Sequence, residues 1–494
     1  MTRRNLLRDA ATLLAVSALP ISAEATVAKT PARSSKSPEI IAQLSTYMGN
    51  AGDHPLPDDV AQKTKQHVLD TFAAMISGTA LPPASVALKF AALHAGEHIA
   101  TIVGSNVLCG PLEAALTNGM LAHADETDDS HAPSHSHPGC AVIPAALATA
   151  EQFGISGERF LRAVALGYDI GTRVLITLGG LDFQIRTHRD AHGLANTFGA
   201  SAAAGCAASL NARQMRWLLD YAAQQASGIA AWQRDTQHIE KAFVFAGAPA
   251  RNGVTAALLI QLGATGVDDV FSGADNFLMA FAPDADPADL IEKLGERYEI
   301  TRTNIKKWTV GSPIQAPLDA LELIRKQHTF TPDQVERVTV RLAGNEAKTV
   351  NNREMPDISL QQMIAVMLVD GTVSFRAAHD RSRMRDPMIV RERAKVDLVS
   401  DATLDPFYPQ LVAIVEVTLQ DGRHWSQRVD DVRGTVRNPM TKDEVVEKSR
   451  DLMQPVLGAA QTAHLIDAVL NLERTSDIRT LRPLLQRNSS QRVG

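Results

Sequence analysis

The segment Asn118 to Glu151 reads NGMLAHADETDDSHAPSHSHPGCAVIPAALATAE. It holds four histidines, His123, His131, His135 and His137, and five acids, Asp125, Glu126, Asp128, Asp129 and Glu151. The run before it is apolar and alanine-rich, with helical character. The run after it, Pro144-Ala-Ala-Leu-Ala-Thr-Ala, predicts a helix that opens with proline near its first turn, where a missing N–H costs nothing. The ionisable side chains are therefore expected in a loop held between two apolar helices. Catalytic groups usually live on such loops, positioned by a rigid scaffold.

Three readings fit the loop. It is a solvated connection, a metal site, or a site of general acid–base chemistry. His and Asp are metal ligands, but Pro133 lies between His131 and His135 and no glutamate follows His131, so the pattern is not a helical H-E-x-x-H site. Histidines crowded among carboxylates favour acid–base chemistry, because the carboxylates tune imidazoles that already titrate near neutral pH.

The whole chain is consistent with a globular enzyme. Its 494 residues suffice for two to three domains, and 45% hydrophobic with 21% charged residues is ordinary for a soluble fold. A net charge of −6 offers no basic surface for nucleic acid. Cys109, Cys140 and Cys206 form no C-x-x-C pair, and an odd count at these spacings argues against a disulfide framework. Spacing alone leaves open a cluster built from three distant cysteines. No transmembrane segment is apparent.

The first residues read as an export signal. Thr2-Arg3-Arg4-Asn5-Leu6-Leu7-Arg8 looks like a twin-arginine motif, Ala10 to Leu19 is a short apolar run, and Ala23-Glu24-Ala25 offers a cleavage site. A signal peptide over 1–25 and a linker over 26–36 are expected, and with them a periplasmic location.

Ser37-Pro38-Glu39 predicts a helix start, and Leu56-Pro57-Asp58-Asp59 opens the next helix. Glu158 to Arg173 is a further helix, Gly179 to Arg189 a less regular segment, and the small-residue run from Gly199 a helix suited to tight packing. Lys241 precedes what reads as a turn, Ala246-Gly247-Ala248-Pro249, and Val254 to Leu262 as a helix. Near residue 300 the pattern changes. Val335 to Leu342 and Leu411 to Leu419 alternate like strands, and His424 to Val429 returns from a turn at Asp421-Gly422. Leu318 to Arg325 and Ser359 to Val369 read as helices. Thr441-Lys-Asp-Glu444 is a capping box that restores helical character. The fold class is therefore mainly α. A large, discontinuous, all-helical domain (37–300 and 436–490) is expected to carry an inserted, smaller α+β lid domain (301–435).

The central loop resembles the MmgE/PrpD family, which includes 2-methylcitrate dehydratase, cis-aconitate decarboxylase and iminodisuccinate epimerase. The matching pieces are Asn118-Gly119, His123, Asp128-Asp129 followed by His131, and His137-Pro138-Gly139 leading into Val142-Ile-Pro-Ala-Ala-Leu-Ala. The resemblance runs from about Leu56 to about Leu452. It implies a homodimer, no cofactor or metal, and a small di- or tricarboxylate substrate. By position it implies catalytic roles for His137, His192, Lys241, Lys306 and Glu126. It implies substrate contacts for Asp129, His131, Lys307 and Gln362.

Departures mark the same positions. The family's Leu-Asp-Phe-Asp-Asp is here Asp125-Glu126-Thr127-Asp128-Asp129, so Glu126 replaces an aspartate. Gly311 and Gln315 stand where the decarboxylase carries histidines, and Gln362 where it carries tyrosine. Glutamine cannot donate an acidic proton, so poor cis-aconitate decarboxylation is expected. The resemblance implies a periplasmic lyase, a hydro-lyase first. An epimerase working by α-proton abstraction, or a carboxylate-binding protein that has lost the chemistry, are the alternatives.

Overall fold

Runs of alanine and leucine at helical spacing build most of the molecule. The computed structural model describes residues 37–487; the expected signal peptide and linker lie outside the described residues. In chain order come α1 (Ser37–Asn50), α2 (Asp58–Gly78), α3 (Pro82–Leu93), β1 (Ala100–Thr101), β2 (Leu108–Cys109), α4 (Pro111–Ala122), α5 (Gly139–Phe153) and α6 (Gly157–Leu178). Next are α7 (Gly180–Thr187), α8 (Ala191–Ala207), α9 (Ala212–Gln225), α10 (Ile239–Ala242), a π turn (Phe243–Gly247), α11 (Ala248–Gln261) and α12 (Phe277–Phe281). The second half holds α13 (Ser312–Gln327), β3 (Val335–Leu342), α14 (Gly344–Val350), α15 (Leu360–Asp370), α16 (Phe375–His379) and α17 (Pro387–Arg393). It continues with β4 (Val396–Ser400), β5 (Ala413–Leu419), β6 (His424–Val429), α18 (Lys442–Leu457), α19 (Ala459–Leu470) and α20 (Arg482–Leu485). The protein is mainly α with a small α+β part.

The apolar side chains gather in two large cores. One takes residues from Ile40 to Ile305 and again from Met440 to Leu485; the other takes residues from Trp308 to Val432. In the first, α6 and α8 cross backbone to backbone. A Cβ on Gly199 would sit 2.8 Å from the Gly167 carbonyl oxygen, so the small-residue stripe is there for close approach. The second core lies under a four-stranded sheet of order β4-β3-β5-β6, with β3–β4 parallel and the other pairs antiparallel. Every second residue of β5 (Ala413, Val415, Val417, Leu419) is buried, facing α13. The capping box at Thr441 and Glu444 forms as expected and starts α18.

Several elements differ from the sequence expectation. Pro144 does not open α5 but lies within it, because the helix already starts at Gly139. The segment after Gly179 is a short helix, α7, ended by His188 in the left-handed region. Residues 246–249 are not a turn; the π turn runs straight into α11. The helical part is not all helix, since β1 and β2 pair as a minimal hairpin. Strand β4 carried no clear alternation, being an edge strand of mixed exposure. Among the described residues, the continuous run Ile239–Gln261 is long and apolar enough by composition to cross a membrane. Here Val254, Ala257 and Ile260 of that run are buried in the first core.

Candidate active site

The loop between α4 and α5 is held from below by one carboxylate. Asp129 Oδ2 accepts from the Tyr168 hydroxyl at 2.5 Å and from His67 Nδ1 at 2.9 Å, while Oδ1 accepts the Gly139 amide at 3.0 Å. That amide belongs to the first turn of α5, where a negative charge is favoured. Gly139 is required there, because a Cβ would lie 2.8 Å from Asp129 Oδ2. Lys448 of α18 adds a second tie, pairing with Asp70 at 2.7 Å and donating to the Thr127 carbonyl at 3.0 Å.

Above this pedestal sits a charged cluster. The Lys241 ammonium hydrogen-bonds Glu126 Oε1. Lys306 Nζ donates to the Glu126 carbonyl at 2.8 Å and lies 3.8 Å from Oε2 and 3.6 Å from Asp128 Oδ1. Burial alone would raise the Glu126 carboxyl, but Lys241 and Lys306 outweigh it and hold the group well below the usual range. Burial likewise opposes ionisation of Asp128, and His123, His137 and Lys306 outweigh it.

Four imidazoles close the arrangement. His137 Nδ1 donates to the Asp129 carbonyl at 2.7 Å and lies 3.4 Å from Asp128 Oδ1. A carbonyl only accepts, so the proton of neutral His137 is on Nδ1 and Nε2 is left as the basic nitrogen. His123 Nδ1 is fixed the same way on Asp128 Oδ2 at 2.9 Å, and its buried Nε2 has no hydrogen-bond partner among the described residues. His192 stacks on Phe245 with ring centres 4.0 Å apart, and its Nδ1 is unpartnered. His238 holds a left-handed backbone (φ 64°) with its buried Nε2 unpartnered, 4.0 Å from Glu126 Oε1. Burial first, and then the neighbouring Lys241, push the His238 ring well below its usual value; burial and the surrounding imidazoles do the same for His192.

The π turn explains how one aromatic serves two of these rings. It sets Phe245 under His192 and, at 4.8 Å, under His123. Asn196 satisfies the turn by donating to the Phe245 carbonyl at 2.6 Å and reaches the His137 carbonyl at 3.0 Å. π turns recur at functional sites because they re-aim side chains. Lys241 Nζ lies 5.1 Å and 5.5 Å from the ring centres of Phe245 and Trp232.

A cavity of about 1440 Å³ opens onto this wall, lined by Glu126, His135, His137, His192, His238 and Lys241 among others. Of the nine residues expected at the site, the structure thus gathers Glu126, His137, His192 and Lys241 on the cavity, with Lys306 directly behind Glu126. The other four sit differently. Asp129 is fully buried in the pedestal, with no place on the cavity wall. His131 touches the cavity, but its ring is a strut, with Nδ1 on Ser134 Oγ at 2.7 Å and Nε2 on Glu299 at 3.1 Å. Lys307 is paired with Glu322 at 2.6 Å, off the cavity. Gln362 is fully buried in α15, both amide atoms unpartnered, and does not line the cavity. Fixed partners or a place off the cavity, which positional matching does not see, separate these four from the rest.

Sequence reading missed two groups. His238 lies three residues before Lys241, a spacing that carries no metal or triad signature. His379, at the end of α16, places Nε2 2.8 Å from Asp125 Oδ2 and 4.0 Å from Asp357 Oδ2. Burial lowers His379, but Asp125 outweighs it and the ring is raised to about 9.

Two sets of donors have metal-like spacing: His123, Glu126 and His238, and His123, Asp128 and Cys140, each within 4.8 Å. A cation in the first set competes with two ammonium groups for Glu126. In the second, burial holds the Cys140 thiol well above its usual value.

Glu126, His137, His192, His238 and Lys241 thus share one cavity wall on a helical scaffold. Two family models match this chain, the MmgE/PrpD N-terminal domain over residues 42–289 and the MmgE/PrpD C-terminal domain over 308–474. The protein belongs to the MmgE/PrpD family. It is similar to the human cis-aconitate decarboxylase, 27% identical over 459 residues that cover 89% of this chain and 92% of that protein. It is 26% identical to the cis-aconitate decarboxylase-like protein oryM of Aspergillus oryzae over 481 residues, 90% of this chain and 97% of the relative. The cis-aconitate decarboxylase of Aspergillus terreus is 24% identical over 483 residues, 90% and 96% of the two chains.

Proposed function

We propose that this protein is a lyase acting on a small hydroxy- or unsaturated polycarboxylate, and that it works as a hydro-lyase. The observation that carries this is the convergence of His137, His192 and Lys241 on one cavity wall beside Glu126. His137 Nε2 is the base that takes the α-proton. Asp128, ionised 3.4 Å from Nδ1, stabilises the imidazolium that results. Lys241 leaves its pairing with Glu126 to meet a substrate carboxylate, whose charge grows as the carbon acid ionises. Phe245 and Trp232, whose ring centres lie 5.1 Å and 5.5 Å from Lys241 Nζ, offer the ammonium an aromatic face while it is away from Glu126.

A second reading, decarboxylation, is favoured by the names of the relatives. Gln362 was expected to disfavour it, but a side chain off the cavity wall cannot carry that argument. Incubating the protein with a panel of hydroxy-di- and tricarboxylates and with cis-aconitate separates the readings. Alkene and water from a hydroxy acid support the hydro-lyase; carbon dioxide release from cis-aconitate supports the decarboxylase. Proton exchange without alkene promotes the epimerase, and tight binding without exchange the binding protein. The proposal includes a homodimer, a lid role for 301–435, and export by the twin-arginine route. Periplasmic processing of a variant with Arg3 and Arg4 both changed to lysine would refute the export route.

A further inference from the structure

We propose that Tyr408 is the proton donor that lets the substrate hydroxyl leave, with His135 as its positioning partner. The inference rests on the hydro-lyase reading and names its acid. Dehydration needs one, since hydroxide is a poor leaving group until it is protonated.

The candidates among the tyrosines are few. Tyr168 is committed to Asp129 and Tyr47 to Asp169, at 2.6 Å for the latter. Tyr221 bonds the Thr265 carbonyl, and Tyr298 lines a separate small cavity. Tyr408 alone of the five stands on the wall of the large cavity. Its hydroxyl lies 3.0 Å from His135 Nδ1. The His135 ring is 5.1 Å from that of His192, which is 5.4 Å from that of His137. The phenol therefore reaches the same cavity from the opposite part of the chain.

The local backbone holds the pair in place. His135 adopts φ 54°, the left-handed region that a non-glycine residue occupies only when its surroundings compel it. Burial pushes the His135 ring down to about 4 and raises the Tyr408 phenol. A neutral imidazole and an un-ionised phenol are the forms that a donor pair needs at neutral pH.

The step balances. His137 takes the α-proton, and the C–H electron pair becomes the new C=C bond. The adjacent C–O bond breaks, and the departing oxygen takes the phenol proton of Tyr408, leaving as water. His135 passes its Nδ1 proton to the phenolate while its Nε2 takes one from water on the cavity side, which restores the neutral imidazole, and His137 gives the abstracted proton to solvent.

Tyr408→Phe tests this in deuterated water. We expect alkene formation to fall by about 10²–10⁴-fold, with KM unchanged and α-proton exchange retained, because the base side is intact. Alkene formation equal to wild type overturns the assignment. So does the joint loss of exchange and elimination in a folded variant. Should Tyr408→Phe fail to fold, His135→Gln must show the same split between exchange and elimination, and its absence overturns the proposal. If the wild-type protein eliminates water from no hydroxy acid, the hydro-lyase reading itself fails and this inference falls with it.

Discussion

Asp129 and Glu126 belong to the same loop, and both are buried. Asp129 spends both oxygens on fixed donors, the Tyr168 hydroxyl, His67 and the Gly139 amide. Glu126 meets Lys241 and Lys306, with unpartnered His238 Nε2 4.0 Å away and the cavity beside it. A carboxylate satisfied by fixed neutral donors is architecture. One held by ammonium groups, beside orphan imidazoles and a cavity, is placed to exchange partners when a substrate arrives. Residue type does not separate the two; the hydrogen-bond inventory does.

The sharpest way to break this comparison is to remove each acid in turn. Asp129→Ala leaves three buried donors without an acceptor, each costing about 1–3 kcal/mol. We expect a loss of stability exceeding about 3 kcal/mol in urea unfolding. Glu126→Gln keeps an acceptor and should cost less than half of that, while turnover falls about 10²-fold. Equal stability losses would erase the distinction.

A third acid of the loop, Asp125, extends the comparison through pH. His379 is raised from 6.5 to about 9 by Asp125 despite its burial. A group whose folded value lies above its unfolded one stabilises in the protonated form. Its contribution is therefore complete below pH 6.5 and is lost as pH rises through about 9. The loss is on the order of 3 kcal/mol. Denaturant midpoints between these pH values should fall for the wild type and stay flatter in His379→Gln. Parallel slopes would remove His379 from the account.

The smallest effect is expected at Gln362. Its two amide atoms are buried and unpartnered, so Gln362→Met removes an unsatisfied group without opening a cavity. Stability should stay level or rise by up to about 1 kcal/mol, with turnover unchanged. A loss of turnover would place Gln362 against substrate after all.

Much of the scaffold was legible because one-sided burial writes a period into the sequence. β3 and β6 match their alternating runs to the residue, and the Thr441 box marks α18. β4 was missed because an edge strand with both faces partly exposed carries no such period. Pro144 misled because the signal assumes that helices begin at proline, whereas α5 is long and buried enough to hold one inside. At the site, His137, His192 and Lys241, carried over by family position, come together on the cavity wall. Asp129, Lys307 and Gln362 could not be separated from them, because family position is silent about which partners a side chain is committed to. His238 left no trace in sequence, since its role comes from an approach to Glu126 across more than a hundred residues.

His137 is proposed above as the base of a carbon-acid reaction. Proton NMR of a wild-type substrate in deuterated water, compared with His137→Gln, tests it most directly. The account predicts wild-type loss of one α-proton signal, and an exchange rate lower by about 10²-fold or more in a variant that melts like the wild type. An exchange rate unchanged by His137→Gln would contradict it.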